Sequence, residues 1–332
     1  MKPFVRVTRG AVDESWHAGA IAVANPEGEI VASYGDLDFF TFARSSCKPI
    51  QAIPVVESGA LEAFGLDESH LALMCASHSS EPMHVEKANE ILQSIGLGPE
   101  HLVCGVHVPH SREAYEDLLR RGGTLTAIHN NCSGKHAGML AYCRATGTDP
   151  SSYAELDHPL QQAILRTLSE LAGVPVDDIR VGVDGCGVPV HAIPLRAWAR
   201  AFASFLRPGA PHAAAMKRIL SAMGRHPELV GGSRDRFDTD LMRATQGRIV
   251  AKGGAEGFLA AMDTRLGLAM VVKVLDGNAR AIPPVALKVL TDLGAISAAE
   301  RDSLHAYVEP AVLNTQGREV GRIMADFSLH RA

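Results

Sequence analysis

Two strand-like stretches stand far apart in the chain: apolar residues alternate in "GAIAVANPEGEIVASYGD" at residues 19–36, and apolar runs are broken by glycines in "GRIVAKGGAEGFLAAMDTRLGLAMVVKVLDG" at residues 247–277. Successive side chains of a strand point to opposite faces, so alternation of this kind predicts β-structure. The first stretch predicts strands from Ala18 to Ala24 and from Glu29 to Tyr34, joined at a Pro26-Glu27-Gly28 turn. The second predicts strand, glycine turn, strand and strand, followed by a helix from about Pro283 to Leu293. Between the two, apolar residues at three- and four-residue spacing predict helices at Glu86 to Ser94, Ser111 to Arg121, His136 to Ala145, Leu160 to Leu171 and Leu195 to Phe205. Strands at both chain ends around a helical middle imply an α/β protein whose sheet is assembled from distant segments. A chain of 332 residues is long enough for one unit spanning 1–332, or for two intimate lobes.

The junction "RSSCKPIQAIP" (Arg44 to Pro54) places a lysine three residues after a serine at the mouth of an apolar run. If a helix starts near Ser45, positions i and i+3 share a face, and Lys48 folds back toward the Ser45 hydroxyl. Pro49 suits the first turn, where its missing N–H matters least, whereas Pro54 is expected to kink or end the run. A free lysine has a pKa of about 10.4, so on the order of 0.04% is neutral at pH 7 and able to accept the serine proton. Such a base therefore needs burial or a neighbouring cation. The bland alternative is a helix-capping serine beside a solvated lysine.

Four other junctions combine small and reactive residues: "CASHSSEP" (Cys75 to Pro82), "HNNCSGKHAGM" (His129 to Met139), "GVDGCGVPVH" (Gly182 to His191) and "AKGGAEG" (Ala251 to Gly257). Serine-lysine hydrolases of the penicillin-binding type combine S-x-x-K with a second hydroxyl from another loop and a late K-[ST]-G strand. Ser77 or Ser79 is a candidate for that hydroxyl and Lys252 for that lysine, although Gly253 supplies no hydroxyl where Ser or Thr is expected. Cys132 and Cys186 are either small buried thiols packed in turns or a thiolate pair for a soft metal, with His136 a further candidate ligand. Asp184, ionised in a glycine loop, suits an ammonium group. "RDRFDTD" (Arg234 to Asp240) reads as a solvated loop, with a segment that closes over the pocket as the lesser alternative.

Together "RSSCKPIQAIP", "CASHSSEP", "NNCSGKHAGML", "VDGCGVPV" and "AKGGAEG" resemble the rhizobial-type L-asparaginases, the class 3 or asparaginase II family, over nearly the whole chain. Each motif is weak alone; their order makes the match specific. The resemblance implies a fold similar to serine β-lactamases and penicillin-binding proteins, a homodimer, and hydrolysis of L-asparagine to aspartate and ammonia. Carried over residue by residue, it implies one serine-lysine tandem of Ser45 and Lys48 and a second of Ser77 and Lys252. It also implies a zinc site of Cys132, Lys135 and Cys186, auxiliary to the chemistry, with Asp184, Lys135 and His136 lining the substrate pocket.

Composition restricts the partners. A formal net charge of -5 argues against a nucleic-acid binder, which needs a basic stripe to displace counterions from phosphates. Charged residues interrupt the N-terminal apolar run, no stretch has the length of a membrane span, and six cysteines form no C-x-x-C pair; these features lead us to expect a cytoplasmic protein. The rivals are a peptidase or β-lactam hydrolase using the same serine and lysine, and a non-enzymatic amino-acid or zinc-binding regulator.

Overall fold

The computed structural model of the chain describes residues 3–332. Two compact units emerge, one from Met1–Ser46, Ile193–Pro208 and Asp240–Ala332, the other from Cys47–Ala192 and Gly209–Thr239.

The first unit is built on an antiparallel sheet whose strands come from both ends of the chain. Its order is Ala311–Leu313, Glu319–Ala325, Pro3–Arg9, Val12–Ala24, Leu268–Val274, Phe258–Asp263 and Ile249–Gly254, with Ile30–Tyr34 branching from Val12–Ala24 and His330–Arg331 pairing with Ile30–Tyr34. The registers Ile21↔Val272 and Ala22↔Val271 join the two stretches directly. Residues 20–24, 258–263 and 269–274 are buried throughout, and burial of both faces is the pattern expected for the middle of a covered sheet. Helices Leu195–Ala203 and Ile282–Asp292 pack against these strands. Trp198 is fully buried, stacks on Phe202 and meets Phe258 edge-on, and its indole N–H donates to the Thr41 carbonyl at 2.8 Å. That bond satisfies the one polar atom of a large apolar side chain.

The second unit is mainly helical. Its central helix, Lys48–Glu57, is preceded by a 3-10 turn over Arg44–Cys47 and is buried from Lys48 to Val55. A helix covered on every face has no amphipathic stripe, and this one packs against helices Ser133–Thr146, Pro159–Ala172 and Ala213–Arg225. Pro54 does not end the helix, which continues to Glu57. The proline lies in the last turn, where few bonds remain to be lost, and its carbonyl still accepts from Ser58 N–H at 3.0 Å. The helix Pro159–Ala172 follows its apolar spacing, with Leu160, Ile164, Leu168 and Leu171 all buried. Strands Arg180–Val183 and Pro189–Pro194 form a hairpin registered from Arg180↔Ala192 to Val183↔Pro189. Its tip, closed by Gly187 N–H to Asp184 O at 2.9 Å, carries Asp184 and Cys186.

Among the described residues, no helix is long and apolar enough to cross a membrane.

Candidate functional site

Lys48 enters the second unit at the head of its central helix, and its side chain is only 1% exposed. Burying an amine is costly unless its hydrogens find acceptors. Nζ donates to the Ser77 hydroxyl at 3.0 Å and to the Ala76 carbonyl, and it also hydrogen-bonds the Cys132 sulfur. Ser77 itself lies in the segment between helices Glu68–Met74 and Pro82–Ser94, and is 7% exposed. The expected lysine is therefore buried beside a hydroxyl, and that hydroxyl is Ser77.

Cys132 joins this pair to a sulfur cluster. It stands immediately before the helix Ser133–Thr146, its N–H donating to Asn130 Oδ1 at 2.8 Å and its thiol to Asn131 Oδ1 at 3.2 Å. Cys132 and Cys186 hydrogen-bond each other, and Lys135 Nζ donates to Cys186 Sγ at 2.9 Å. The hydrogen bond from Cys186, then the charges of Lys48 and Lys135, hold the Cys132 thiol well below its usual range against the effect of burial. The Cys186 thiol is pushed up by the same shared bond and by burial. The two thiols therefore titrate as a coupled pair beside two lysines. Burial opposes the charge on Lys135, but Cys186 and Cys132 outweigh it and raise the lysine above its normal value. Asp184 Oδ2 lies 4.0 Å from Cys186 Sγ.

Two sulfurs and one amine converging in this way form a donor set suited to a soft cation such as zinc, which would replace the protons now shared within the cluster. Among the described residues, no group of three or more His, Cys, Asp or Glu side chains is placed to hold a metal, so any such site depends on the lysine. His136 follows Lys135, is fully buried, and places Nδ1 2.7 Å from the Tyr153 hydroxyl, while Nε2 has no partner among the described residues. Burial, then the nearby Lys135 and Lys48, keep its imidazole neutral.

Ser45 and Lys252 belong to the first unit. Ser45 is half-buried, next to Arg44, whose φ of 50° is uncommon for a residue with a side chain. Lys252 lies on the strand Ile249–Gly254, fully buried, with Nζ donating to the Gly253 carbonyl at 2.6 Å. The hydroxyl of Ser46, one position beyond the expected serine, donates to the Lys252 carbonyl at 2.7 Å. Gly254 permits this approach: a Cβ there would stand 2.9 Å from Ser46 Oγ and nearer still to the Ala43 carbonyl.

Sequence reasoning missed Ser46 and also misread part of "RDRFDTD". Arg234 and Asp235 are exposed, but Asp238 and Thr239 are buried and Arg236 is largely so. Helix Phe237–Ala244 begins inside the segment. The signal available in the sequence was the apolar spacing of Phe237 and Leu241.

The model of the family described as L-asparaginase II matches residues 5–325 of the chain. Among solved structures, a β-lactamase from Mycobacterium bovis is 16% identical, with 83% of this chain and 94% of that one covered at a TM-score of 0.45. A Bacteroides dorei protein whose β-lactamase assignment is provisional is 13% identical, covering 82% and 93% at 0.45. A mutant simvastatin synthase from Aspergillus terreus is 12% identical, covering 87% and 88% at 0.39. No curated protein matches the sequence.

Proposed function

The chain belongs to the L-asparaginase II family, and on that premise we propose that it is an L-asparagine amidohydrolase working by a serine-lysine mechanism. The observation that carries the reading is the buried Lys48 amine 3.0 Å from the Ser77 hydroxyl. An amide is a poor electrophile with a poor leaving group, so its hydrolysis requires an activated hydroxyl, a stabilised oxyanion and a proton for the departing nitrogen. A lysine held among polar acceptors and shielded from water suits both proton transfers when it is unprotonated.

In this proposal the Ser45 hydroxyl attacks the side-chain amide carbon of asparagine, and Lys48 takes the proton. The tetrahedral adduct collapses, the C–N bond breaks, and Lys48 returns the proton to the leaving ammonia. Water then cleaves the resulting ester to give aspartate and the free serine. Ser77, hydrogen-bonded to Lys48, relays the proton, and Lys252 contributes the second lysine of the machinery. Asp184 holds the substrate's ammonium group, with Lys135 and His136 as further contacts.

Cys132, Lys135 and Cys186 would hold zinc. Bound there, the ion would supply a fixed positive charge that orients a substrate carboxylate, while the proton transfers stay with the serines and lysines.

The test is ammonia release from asparagine and from glutamine, assayed in parallel with the colour change that accompanies ring opening of a chromogenic β-lactam. Turnover of asparagine supports the reading. Turnover of the β-lactam alone, or of none of the three, overturns it.

A further inference from the structure

The backbone of Ser77 is clamped by a segment more than 150 positions further along the chain. Its N–H donates to the Val230 carbonyl at 3.0 Å. Its carbonyl accepts from Arg236 Nη1 at 2.7 Å, and the same nitrogen reaches the Gly231 carbonyl at 2.8 Å and Ser79 Oγ at 3.2 Å. Ser79 Oγ in turn donates to the Gly231 carbonyl at 3.0 Å. Arg236 is aimed by Asp238, which is 5% exposed and 3.6 Å from Nε. The segments also meet at Gly232, where a Cβ would lie 2.5 Å from Ser79 Oγ, and at Ser233, whose N–H donates to Glu81 at 2.8 Å. Between these ties Ser80 sits at a φ of 62°, a conformation that persists only where surrounding contacts enforce it.

We propose that Arg236 is a positioning residue that acts through Ser77, fixing the serine backbone so that its hydroxyl stays within hydrogen-bond reach of Lys48. This inference rests on the proposed hydrolase reading. The planar guanidinium turns Nη1 to the Ser77 and Gly231 carbonyls while Nε faces Asp238, two directions that the single nitrogen of a lysine covers less well. Without it the Ser77 carbonyl loses its bond to the guanidinium, and the loop is free to shift. A displacement of about 1 Å at a reacting group can cost on the order of 100-fold in rate.

The experiment is a double-mutant cycle on asparagine turnover with wild type, Arg236→Ala, Arg236→Lys, Ser77→Ala and Ser77→Ala/Arg236→Ala, each checked for folding by near-UV circular dichroism. Arg236→Ala is expected to lower kcat by roughly 100-fold with KM changed by less than about 3-fold, and Arg236→Lys to recover part of the loss. In the Ser77→Ala background the further loss of Arg236 should cost less than about 3-fold, because residues that act as a unit are not additive. Full additivity of the two losses, or a kcat unchanged in Arg236→Ala, overturns the inference. If Arg236→Ala does not fold, the same cycle is read with Arg236→Lys. Wild type inactive on asparagine, or Ser77→Ala fully active, overturns the hydrolase reading first and this inference with it, and is distinguishable from additivity in an active enzyme.

Discussion

The Lys48 amine and the Ser77 hydroxyl, 29 positions apart in the chain, are hydrogen-bonded at 3.0 Å in a site where the lysine is 1% exposed. A long charged side chain is almost never this deeply buried unless its polar end is fully paired. The pairing here extends through Cys132 to Cys186 and Lys135, so Lys48, Ser77 and the candidate metal donors form one connected network within the second unit.

With Lys135 as a zinc donor, as proposed, metal affinity is expected to depend on pH. The amine is held above its ordinary pKa by the neighbouring sulfurs, and it must lose its proton to become a ligand. Zinc uptake by the protein, measured by equilibrium dialysis between pH 6 and pH 9, is expected to rise with pH and to fall at least 10-fold at every pH in Lys135→Met. Affinity independent of pH, or unaffected by that substitution, removes Lys135 from the donor set.

Removal of metal separates orientation from chemistry. With the proton transfers assigned to serine and lysine, protein stripped by a chelator should retain turnover at saturating asparagine and show the change chiefly in KM. Loss of kcat in stripped protein that remains folded would give the ion a direct part in the reaction.

His191 contributes to acid sensitivity. It is 1% exposed on the hairpin strand, neither ring nitrogen has a partner among the described residues, and burial pushes its pKa down to about 4. The folded state therefore takes up its proton later than the unfolded chain, whose histidine titrates near 6.5. The sign follows: stability is complete above about pH 6.5 and is lost as pH falls from there toward 4, on the order of 3 kcal/mol in all. Urea unfolding at pH 7 and pH 4.5 should show this loss reduced in His191→Leu by more than 1 kcal/mol. An unchanged pH dependence contradicts the assignment.

Gly254→Ala should strain the first unit. Its new Cβ meets the Ala43 carbonyl and Ser46 Oγ, and overpacking of this kind costs typically 1–3 kcal/mol. The Ser46 bond to the Lys252 carbonyl is the first contact expected to give way. A lower thermal midpoint accompanied by reduced turnover fits this account; a variant matching wild type in both does not.

The strands were legible because alternation and short apolar runs bounded by glycine are local signals, the first carried by residues 19–34 and the second by Leu268–Val274. Helix interiors were legible for the same reason, through spacing such as that of Leu160, Ile164, Leu168 and Leu171. Boundaries were less so. The helix Pro82–Ser94 starts four residues before the expected Glu86, because Pro82 occupies a first turn that has no apolar periodicity to reveal it. Family motifs named Lys48, Ser77, Cys132, Lys135 and Cys186, and the second unit brings these together. Arg236 and Ser46 escaped notice because their partners lie 159 and 206 positions away, and nothing in a local window encodes such a meeting.

The most direct measurement is steady-state ammonia release from asparagine by wild type beside Lys48→Met and Ser77→Ala, with asparagine binding followed separately by calorimetry. The account predicts a fall in kcat of at least about 1,000-fold for Lys48→Met and about 100-fold for Ser77→Ala, with binding retained in both. Wild-type turnover in Lys48→Met would contradict it, since no other residue has been assigned to take the proton from the attacking hydroxyl.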